Sequence, residues 1–319
     1  MPGHRLTDAM EGSLSVRDEL RDRYRGALAA SAAGDALGAT VEFMSREAIA
    51  QRYGQLRDIV GGGWLHLPAG EVTDDTQMAL CIARSLAERE TFDPGDIAER
   101  FVEWCRSNPP DIGNTTRDAL ARLAAGVPWD EAGQQTHLAM RPRDASNGSV
   151  MRCAPVALFA RTDPEANARY SADSSRITHA NPLCIAGCVA LNAAIAALLT
   201  DPDRDPVAAA RAATDNADVR ASLDAVSTHT AETLDAGGYV LATLQSSLWA
   251  VTNHDTLEEA IVAAVNLGDD ADTTGAVAGA LAGARWGYSA IPDRWLTVLR
   301  GREELEELAD QLLELSQRE

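Results

Sequence analysis

The sequence Gly268-Asp269-Asp270-Ala271-Asp272-Thr273-Thr274-Gly275 places three carboxylates and two hydroxyls within eight residues, directly before a long run of small apolar residues. Carboxylate and hydroxyl oxygens suit Mg²⁺, Mn²⁺ or Ca²⁺, whereas a zinc site would include thiolate or imidazole ligands. The stretch therefore predicts a site for a hard cation and argues against zinc.

A calcium-binding loop is the main alternative for this stretch. Asp270, Asp272 and Gly275 match the first, third and sixth positions of such a loop, but the twelfth position, which should be a bidentate Glu, is Leu281. Without that Glu the loop cannot close around calcium in the usual way. The missing ligands are therefore expected elsewhere in the chain, and Thr73-Asp74-Asp75-Thr76 supplies them.

The two acidic clusters share a pattern, because Thr73-Asp74-Asp75 and Asp272-Thr273 each stand where an Ala-rich helix is predicted to begin. Helix capping is the other interpretation, since Thr and Asp are common N-cap residues and negative charge is favourable at a helix N-terminus. Five carboxylates exceed what two caps require, and burying them together would cost several kcal/mol without bridging cations. The pair of clusters predicts two metal ions held between them.

The dominant period of the remaining sequence is helical, and alternating strands of Val, Ile and Thr are almost absent. The predicted helices are 23–38, 75–90, 94–107, 115–125, 183–199, 206–214, 237–252, 256–266, 273–285 and 302–317. The pattern predicts an all-α protein in which Ala and Gly on facing helices allow close packing. Only 5% of the residues are aromatic, so Ala, Leu and Val are expected to fill the core.

Two helix starts have recognisable capping signals. Asp93 followed by Pro94 gives an N-cap with proline in the first turn, and Asp255 with Glu258 matches a capping box. The second signal assigns Asp255 to helix capping, which argues against a metal-binding pair with His254.

Composition and charge limit the functional classes. The 319 residues are 45% hydrophobic and contain no obvious linker, which predicts one compact domain. The formal net charge of -20 argues against a nucleic-acid partner, because phosphates would be repelled over most of the surface.

No segment is predicted to enter a membrane. The first 25 residues lack the apolar core of a signal peptide. The apolar stretch 185–199 is too short to span a bilayer and contains Asn192, which favours a buried helix. The five cysteines form no CxxC pair, as in proteins of a reducing compartment. These features predict a cytoplasmic protein.

Five motifs in order, from about Arg25 to about Trp286, resemble the ADP-ribosylglycohydrolase family, and most of all its bacterial branch, the dinitrogenase reductase-activating glycohydrolases. The motifs are Gly34-Asp35-Ala36-Leu37-Gly38 with Glu42, Gly61-Gly62-Gly63-Trp64 leading to Glu71-Val72-Thr73-Asp74-Asp75-Thr76, Asn147-Gly148-Ser149-Val150-Met151-Arg152, Thr178-His179, and Gly268 to Thr273.

The resemblance implies an all-α, compact single-domain orthogonal helical bundle over residues 23–319, preceded by an N-terminal extension, 1–22. It also implies a centre of two Mg²⁺ or Mn²⁺ ions. The implied reaction is hydrolysis of the bond between the distal ribose of ADP-ribose and a protein side chain, most commonly arginine. The expected partner is an ADP-ribosylated protein, the product is ADP-ribose, and the enzyme is expected to be a monomer.

The resemblance also assigns the metal ligands and the acid/base candidates. One ion would be held by Thr73, Asp74, Asp75 and Asp272, and the other by Asp270, Asp272 and Thr273, so that Asp272 bridges them. Besides Asp75, the catalytic candidates are Glu42, which resembles a mobile acidic residue of the family, and Asp111.

A carboxyl must shuttle a proton while the ribosyl bond breaks through an oxocarbenium-like centre. Glu42 and Asp111 both remain candidates for that role. The structural alternatives are a surface Glu at a helix end for Glu42 and a cap of the following helix for Asp111.

The substrate contacts are likewise implied by the resemblance. Asn147, Gly148 and Ser149 would offer backbone N–H groups to the pyrophosphate where a helix starts. The other expected contacts are Val150, Met151, His179, Gly113, Asn114, and Tyr239 as an aromatic that stacks on the nucleotide. Trp64 would lie against the guanidinium leaving group through a cation–π contact.

Two other functions remain open at this stage. A hydrolase acting on ADP-ribosyl-serine or another ADP-ribosyl linkage needs the same proton delivery, so the chemistry alone does not separate it from an arginine enzyme. A binding or immunity protein on the same scaffold would need no turnover, but it would also be free to lose its acidic ligands. The intact clusters therefore favour the enzyme.

Overall fold

The computed structural model describes residues 15–141 and 145–318, and α-helices build this part of the chain. They are α1 Val16–Gly38, α2 Arg46–Tyr53, α3 Asp74–Arg89, α4 Pro94–Arg106, α5 Asn114–Ala124, α6 Trp129–Met140, α7 Ala154–Phe159, α8 Pro164–Arg176, α9 Pro182–Thr200, α10 Pro206–Ala212, α11 Ala217–Asp224, α12 Val240–Thr252, α13 Leu257–Val265, α14 Ala271–Trp286, α15 Asp293–Val298 and α16 Arg302–Leu315. Two short 3₁₀ turns, Val226–Thr228 and Tyr288–Ala290, complete the regular structure, and the described residues form isolated bridges but no strand. The predicted all-α class is confirmed.

Helices α1 and α14 pack backbone against backbone through glycine. A Cβ atom added at Gly34 would lie 2.1 Å from the carbonyl oxygen of Gly275, and one added at Gly279 would lie 2.1 Å from that of Ala30. Any larger residue would force the two helices apart. This contact fixes the N-terminal end of α14, and with it the second acidic cluster, beside the C-terminal half of α1.

The predicted helical segments are all present, but their boundaries differ in places. Helix α1 begins at Val16, before the predicted position 23, so residues 16–22 continue the helix; residues 1–14 of the predicted extension lie outside the described residues. Six helices were missed: α2, α6, α7, α8, α11 and α15. Most of these are too short or too polar to show a clear apolar period.

The two predicted helix caps have different outcomes. Asp93 caps α4 as expected, accepting from the backbone N–H groups of Gly95 and Asp96. The assignment of Asp255 was wrong by one residue, because Thr256 is the N-cap of α13 and accepts from the N–H of Glu259. Threonine in the extended conformation there satisfies the N-terminal donor that the aspartate was expected to satisfy.

Helix α9 is the longest apolar helix of the described chain. Its 19 residues make it long and apolar enough to cross a membrane by length and composition alone, so the expectation that this stretch is too short was wrong. Its contacts are nevertheless those of a core helix. It packs against α8 and α10, and the buried Asn192 amide donates to Cys153 O and Ser171 Oγ. Cys81, Cys105, Cys153 and Cys188 are free thiols.

Candidate active site

A cavity of about 660 Å³ lies where the N-terminal ends of α3, α5 and α14 converge. One side of it is acidic, with six carboxylates from four separate parts of the chain. They are Glu42, Asp74, Asp75, Asp111, Asp270 and Asp272. The structure therefore brings together all the carboxylates that were predicted from the sequence to act in one site.

The first acidic cluster does not cap helix α3. Thr73 is the N-cap residue, yet its side chain makes no capping hydrogen bond. Its hydroxyl instead donates to Asp35 Oδ1 at 2.9 Å, and it lies behind the cavity wall, fully buried. The carboxylates of Asp74 and Asp75 are thereby left facing the cavity.

Asp35 on α1 holds the start of α3 in place. Its buried carboxylate accepts hydrogen bonds from the backbone N–H and the hydroxyl of both Thr73 and Thr76. Burial raises the pKa of Asp35 to about 6, although these bonds act in the opposite direction. Asp35 belongs to one of the sequence motifs but was not predicted to have a role. Its position inside an Ala-rich helix could have indicated one, because a carboxylate there must be buried.

The N-cap carboxylate of the second cluster makes no capping hydrogen bond either, although Asp272 Oδ1 accepts from the first-turn N–H of Thr273 at 2.9 Å. Asp270 is the N-cap residue of α14 and makes no side-chain cap bond; its Oδ2 accepts from the Asn147 amide at 3.1 Å. Asp272 and Thr273 follow in the first turn and also line the cavity. Asp269 differs from them, because its side chain is exposed and its backbone has a positive φ of 53°.

The crowded carboxylates repel one another in the metal-free protein. Burial raises the pKa of Asp75 and of Asp272 well above the usual range, and neighbouring carboxylates raise it further. For Asp74 the same causes raise the pKa to about 7. Asp75 Oδ1 is buried and has no hydrogen-bond partner, which is the condition expected of an oxygen that binds a cation.

The oxygen donors fit hard cations, although they do not yet converge on one point. In residues 15–141 and 145–318, no three His, Cys, Asp or Glu side chains form a closed metal site. The donor set of carboxylates and threonine hydroxyls nevertheless matches the oxygen ligands of Mg²⁺ or Mn²⁺.

Glu42 is not a surface residue at a helix end. Only 5% of it is exposed, and its Oε2 accepts a 2.6 Å hydrogen bond from Trp64 Nε1. Burial raises the pKa of Glu42 to about 8, and the charges of Asp111 and Asp270 add to this effect. The Trp64 ring is 47% exposed at the cavity rim, 5.4 Å from the ring of Phe43.

Asp111 does not cap the following helix. Its Oδ1 accepts from the N–H of its neighbour Ile112 at 2.8 Å, while Gly113 is the N-cap residue of α5. Burial raises the pKa of Asp111. Gly113 and Asn114, which were predicted to contact the substrate, line the same cavity.

The polar wall of the cavity, which contacts the carboxylates through Asn147 and Asp270, contains part of the predicted substrate loop. Asn147, Gly148, Met151 and His179 line the cavity. Residues 148–152 form a turn, and the next helix begins only at Ala154, so the expectation that a helix starts at this loop was wrong.

Three predicted contacts lie away from the cavity surface. Ser149 is buried and its hydroxyl accepts from Ser175, Val150 belongs to the hydrophobic core, and Tyr239 is 44% exposed beside the cavity without forming its wall. Conversely, Ser146, Thr115 and Thr116 line the cavity and were missed. Short hydroxyl side chains occur throughout the chain, so the sequence held no signal for these three.

Comparisons with known proteins agree with this arrangement. The family model for ADP-ribosylglycohydrolase matches residues 16–319. The ADP-ribosyl-dinitrogen reductase glycohydrolase of Rhodospirillum rubrum is 37% identical, over 93% of this chain and 97% of its own. The ADP-ribosylarginine hydrolase of Serratia proteamaculans is 35% identical, over 96% of this chain and 83% of its own.

The fold is also that of a solved relative. A structure described as an ADP-ribosylglycohydrolase-related protein complex superimposes with a TM-score of 0.81 at 37% identity, covering 93% of this chain and 99% of its own. The sequence, the helical architecture and the carboxylate-lined cavity agree. This chain belongs to the ADP-ribosylglycohydrolase family.

Proposed function

We propose that this protein is a metal-dependent hydrolase that removes ADP-ribose from arginine side chains of modified proteins. The observation that carries the proposal is a single cavity lined both by six carboxylates and by polar side chains and glycine-containing loops. The carboxylates suit cations and the cationic centre of a breaking ribosyl bond, and the polar groups suit the oxygens of ribose and pyrophosphate. A cavity of about 660 Å³ is also within the usual size range for a nucleotide-sized ligand.

The metal-holding residues in this proposal are those of the two clusters. Thr73, Asp74, Asp75 and Asp272 would hold one ion and Asp270, Asp272 and Thr273 the other, with the unpartnered Oδ1 of Asp75 as a ligand. When bound, Mg²⁺ or Mn²⁺ would supply positive charge that binds ribose hydroxyls and makes water a better nucleophile near neutral pH.

The carboxyl groups beside this centre move the proton. Water attacks C1 of the distal ribose, the bond from C1 to the guanidine nitrogen breaks, and its electron pair stays on that nitrogen. The departing nitrogen takes a proton from a carboxyl group, which then accepts one from the attacking water. Glu42 and Asp111 both face the cavity and are the two candidates.

The arginine linkage is supported by Trp64 and by the relatives. The indole N–H is held by Glu42 at 2.6 Å, while much of the ring remains exposed at the cavity rim. A guanidinium can pack on such a ring by a cation–π contact, which a serine leaving group cannot make. The relatives from Serratia proteamaculans and Pseudomonas putida are both described as ADP-ribosylarginine hydrolases.

The direct test is release of ADP-ribose from arginine-modified and serine-modified peptides in Mg²⁺ or Mn²⁺. Multiple turnovers on the arginine linkage, at a higher kcat/KM than on the serine linkage, are expected. Equal or higher kcat/KM on serine would contradict the assigned linkage. Tight binding of the modified peptides without any release would instead identify a binding protein on this scaffold.

A further inference from the structure

The side chain of Arg152 is a buried charge without a direct counter-ion. It is fully buried, and no carboxylate of residues 15–141 or 145–318 forms an ion pair with it, although the charge of Asp74 acts on it at longer range. Its guanidinium lies 4.5 Å from the centre of the Phe101 ring and donates to Met78 Sδ at 3.6 Å and to Thr178 Oγ1 at 2.6 Å. Burial lowers the pKa of Arg152 to about 10, which still leaves it charged at neutral pH. An unpaired buried charge costs several kcal/mol, so a specific role is expected of it.

The short bond from Arg152 fixes the direction of the next hydrogen bond. A guanidinium can only donate, so Thr178 Oγ1 accepts from it. The other partner of this hydroxyl is His179 Nδ1, at 2.7 Å. If Thr178 accepted from both neighbours, its own hydrogen would be buried without an acceptor, at a cost of about 1–3 kcal/mol. The hydroxyl therefore donates to Nδ1.

Acceptance at Nδ1 decides the state of the His179 ring. Burial, together with the nearby charge of Arg152, lowers the pKa of His179 to about 3, so the ring is neutral at neutral pH. A neutral imidazole that accepts at Nδ1 carries its hydrogen on Nε2. That nitrogen lies 3.0 Å from Ser146 Oγ, which accepts the bond.

The chain of donors ends at the cavity. Ser146 Oγ lies 3.3 Å from Thr115 Oγ1, and both residues line the cavity together with His179. Gly148 allows this arrangement, because a Cβ atom there would lie 2.9 Å from Cε1 and Nε2 of His179. Each link donates away from Arg152 and toward the polar wall.

We propose that Arg152 is a positioning residue that acts through Thr178 to hold His179 as the Nε2–H tautomer, so that Ser146 donates to Thr115 and the Thr115 hydroxyl is left to donate to ligand oxygens. The identity of that ligand, ADP-ribose, rests on the proposed function. Held in this way, His179 is not the group that transfers the proton during bond cleavage. Proton transfer remains assigned to Glu42 and Asp111, whose carboxyl groups line the same cavity.

The decisive measurement is the ¹⁵N NMR spectrum of the histidine rings in the Mg²⁺-loaded protein. In the expected tautomer, the protonated ring nitrogen is the one that couples to both carbon-bound protons. A His179→Gln variant assigns the signals among the six histidines of the chain. The expected Nε2–H pattern stays unchanged from about pH 6 to pH 8. An Nδ1–H tautomer, or an imidazolium that titrates in this range, would overturn the proposal.

A pair of variants tests the link through Thr178. Thr178→Val removes the hydroxyl at nearly constant volume, and Thr178→Ser retains it. In the valine variant we expect a mixture of the two His179 tautomers and about tenfold weaker ADP-ribose binding, whereas the serine variant keeps the wild-type pattern. An unchanged tautomer in a folded Thr178→Val protein would contradict the role of the link, and if that variant does not fold, the wild-type spectrum still decides.

The two proposals fail in different ways. If wild-type protein loaded with Mg²⁺ does not bind ADP-ribose, the proposed function is contradicted. The ring spectrum needs no ligand, so it tests the tautomer of His179, and the Thr178 variants test the link to Arg152, in either case.

Discussion

Asp272 is the residue on which the proposed metal site depends most, because it is assigned to both ions. Asp272→Asn keeps the shape of the side chain and removes its charge, so turnover is expected to fall at least about a hundredfold. The metal-free variant should melt at a higher temperature than metal-free wild type, since burial and neighbouring carboxylates raise the pKa of Asp272. Asp269→Asn is the matched control, because Asp269 belongs to the same stretch but is exposed. Wild-type turnover by Asp272→Asn would remove this residue from the centre.

Trp64 combines two roles that two variants can separate. Trp64→Phe keeps an aromatic face but removes the N–H that Glu42 accepts, whereas Trp64→Ala removes both. The alanine variant is expected to lose about two- to fivefold in preference for arginine over serine linkages, and the phenylalanine variant to keep the preference with a lower kcat. Kinetics on both linkages measure this. An alanine variant with undiminished arginine preference would leave the specificity without this physical cause.

At the scale of single residues, sequence reasoning located the carboxylates better than their surroundings. Oxygen-rich clusters can be recognised in a sequence because helix capping cannot account for so many carboxylates. All six carboxylates that were predicted to act in the site line the cavity. Asp35 and Arg152 were not assigned roles, since their importance comes from burial between distant segments. Ser149 was expected at the cavity surface, but it lies in the turn formed by residues 148–152, and its buried hydroxyl bonds to Ser175 instead.

At the scale of the helices, the glycine contact between α1 and α14 should be sensitive to a single methyl group. Gly279→Ala would bring Cβ to 2.1 Å from the backbone oxygen of Ala30, and the cost is expected to be about 1–3 kcal/mol of unfolding free energy. Gly95→Ala in α4 is the control, since its Cβ would meet only a side-chain oxygen of Asp93 at 3.2 Å. Urea denaturation measures both. Equal stability of the two variants would show that the helices can separate at little cost.

Asp35 connects α1 to the start of α3, and its loss should weaken that connection. Asp35→Asn would turn an amide N–H toward the donors of Thr73 and Thr76, so we expect a loss of at least about 2 kcal/mol in the Mg²⁺-loaded protein. Asp22→Asn, also on α1, is the control, because Asp22 accepts its bonds from Ser289 at an exposed site. Unchanged unfolding and turnover in Asp35→Asn would contradict this role.

The length of a helix decided whether its apolar period could be detected in the sequence. Long Ala-rich segments were predicted because their apolar period extends over several turns. Helices α7 and α15 contain only six residues each, fewer than two turns, and so give no period. Helix α8 could have been found, because Asp163-Pro164 at its start repeats the signal of Asp93-Pro94.

The stability of the metal-free protein as a whole should increase as the pH falls. Burial raises the pKa of Asp74 to about 7 and that of Glu42 to about 8, above the values of an unfolded chain. Their contribution to stability is complete below the unfolded pKa and is lost as the pH rises through the folded pKa. The net charge of -20 acts in the same direction.

Thermal unfolding in EDTA measures this dependence. The melting temperature is expected to rise as the pH is lowered from about 9 to about 6. Carboxylates paired with arginine do not interfere. Burial acts to raise the pKa of Asp96, for example, but its bonds to Arg100, Ser85 and Arg89 together lower that pKa to about 2. Bound Mn²⁺ should stabilise most at the high end of the range, where its ligands are deprotonated. A metal-free melting temperature that falls over this interval would contradict the electrostatic account.

A Mn²⁺ titration of metal-free protein, following bound metal and release of ADP-ribose from an arginine-modified peptide, tests whether the two acidic clusters form the active site. No turnover is expected at the start, and activity should rise in step with the binding of two ions per chain. Asp272→Asn should show neither the binding nor the activity. Full turnover by protein shown to be metal-free would contradict the claim that the two acidic clusters form one metal-dependent hydrolytic site.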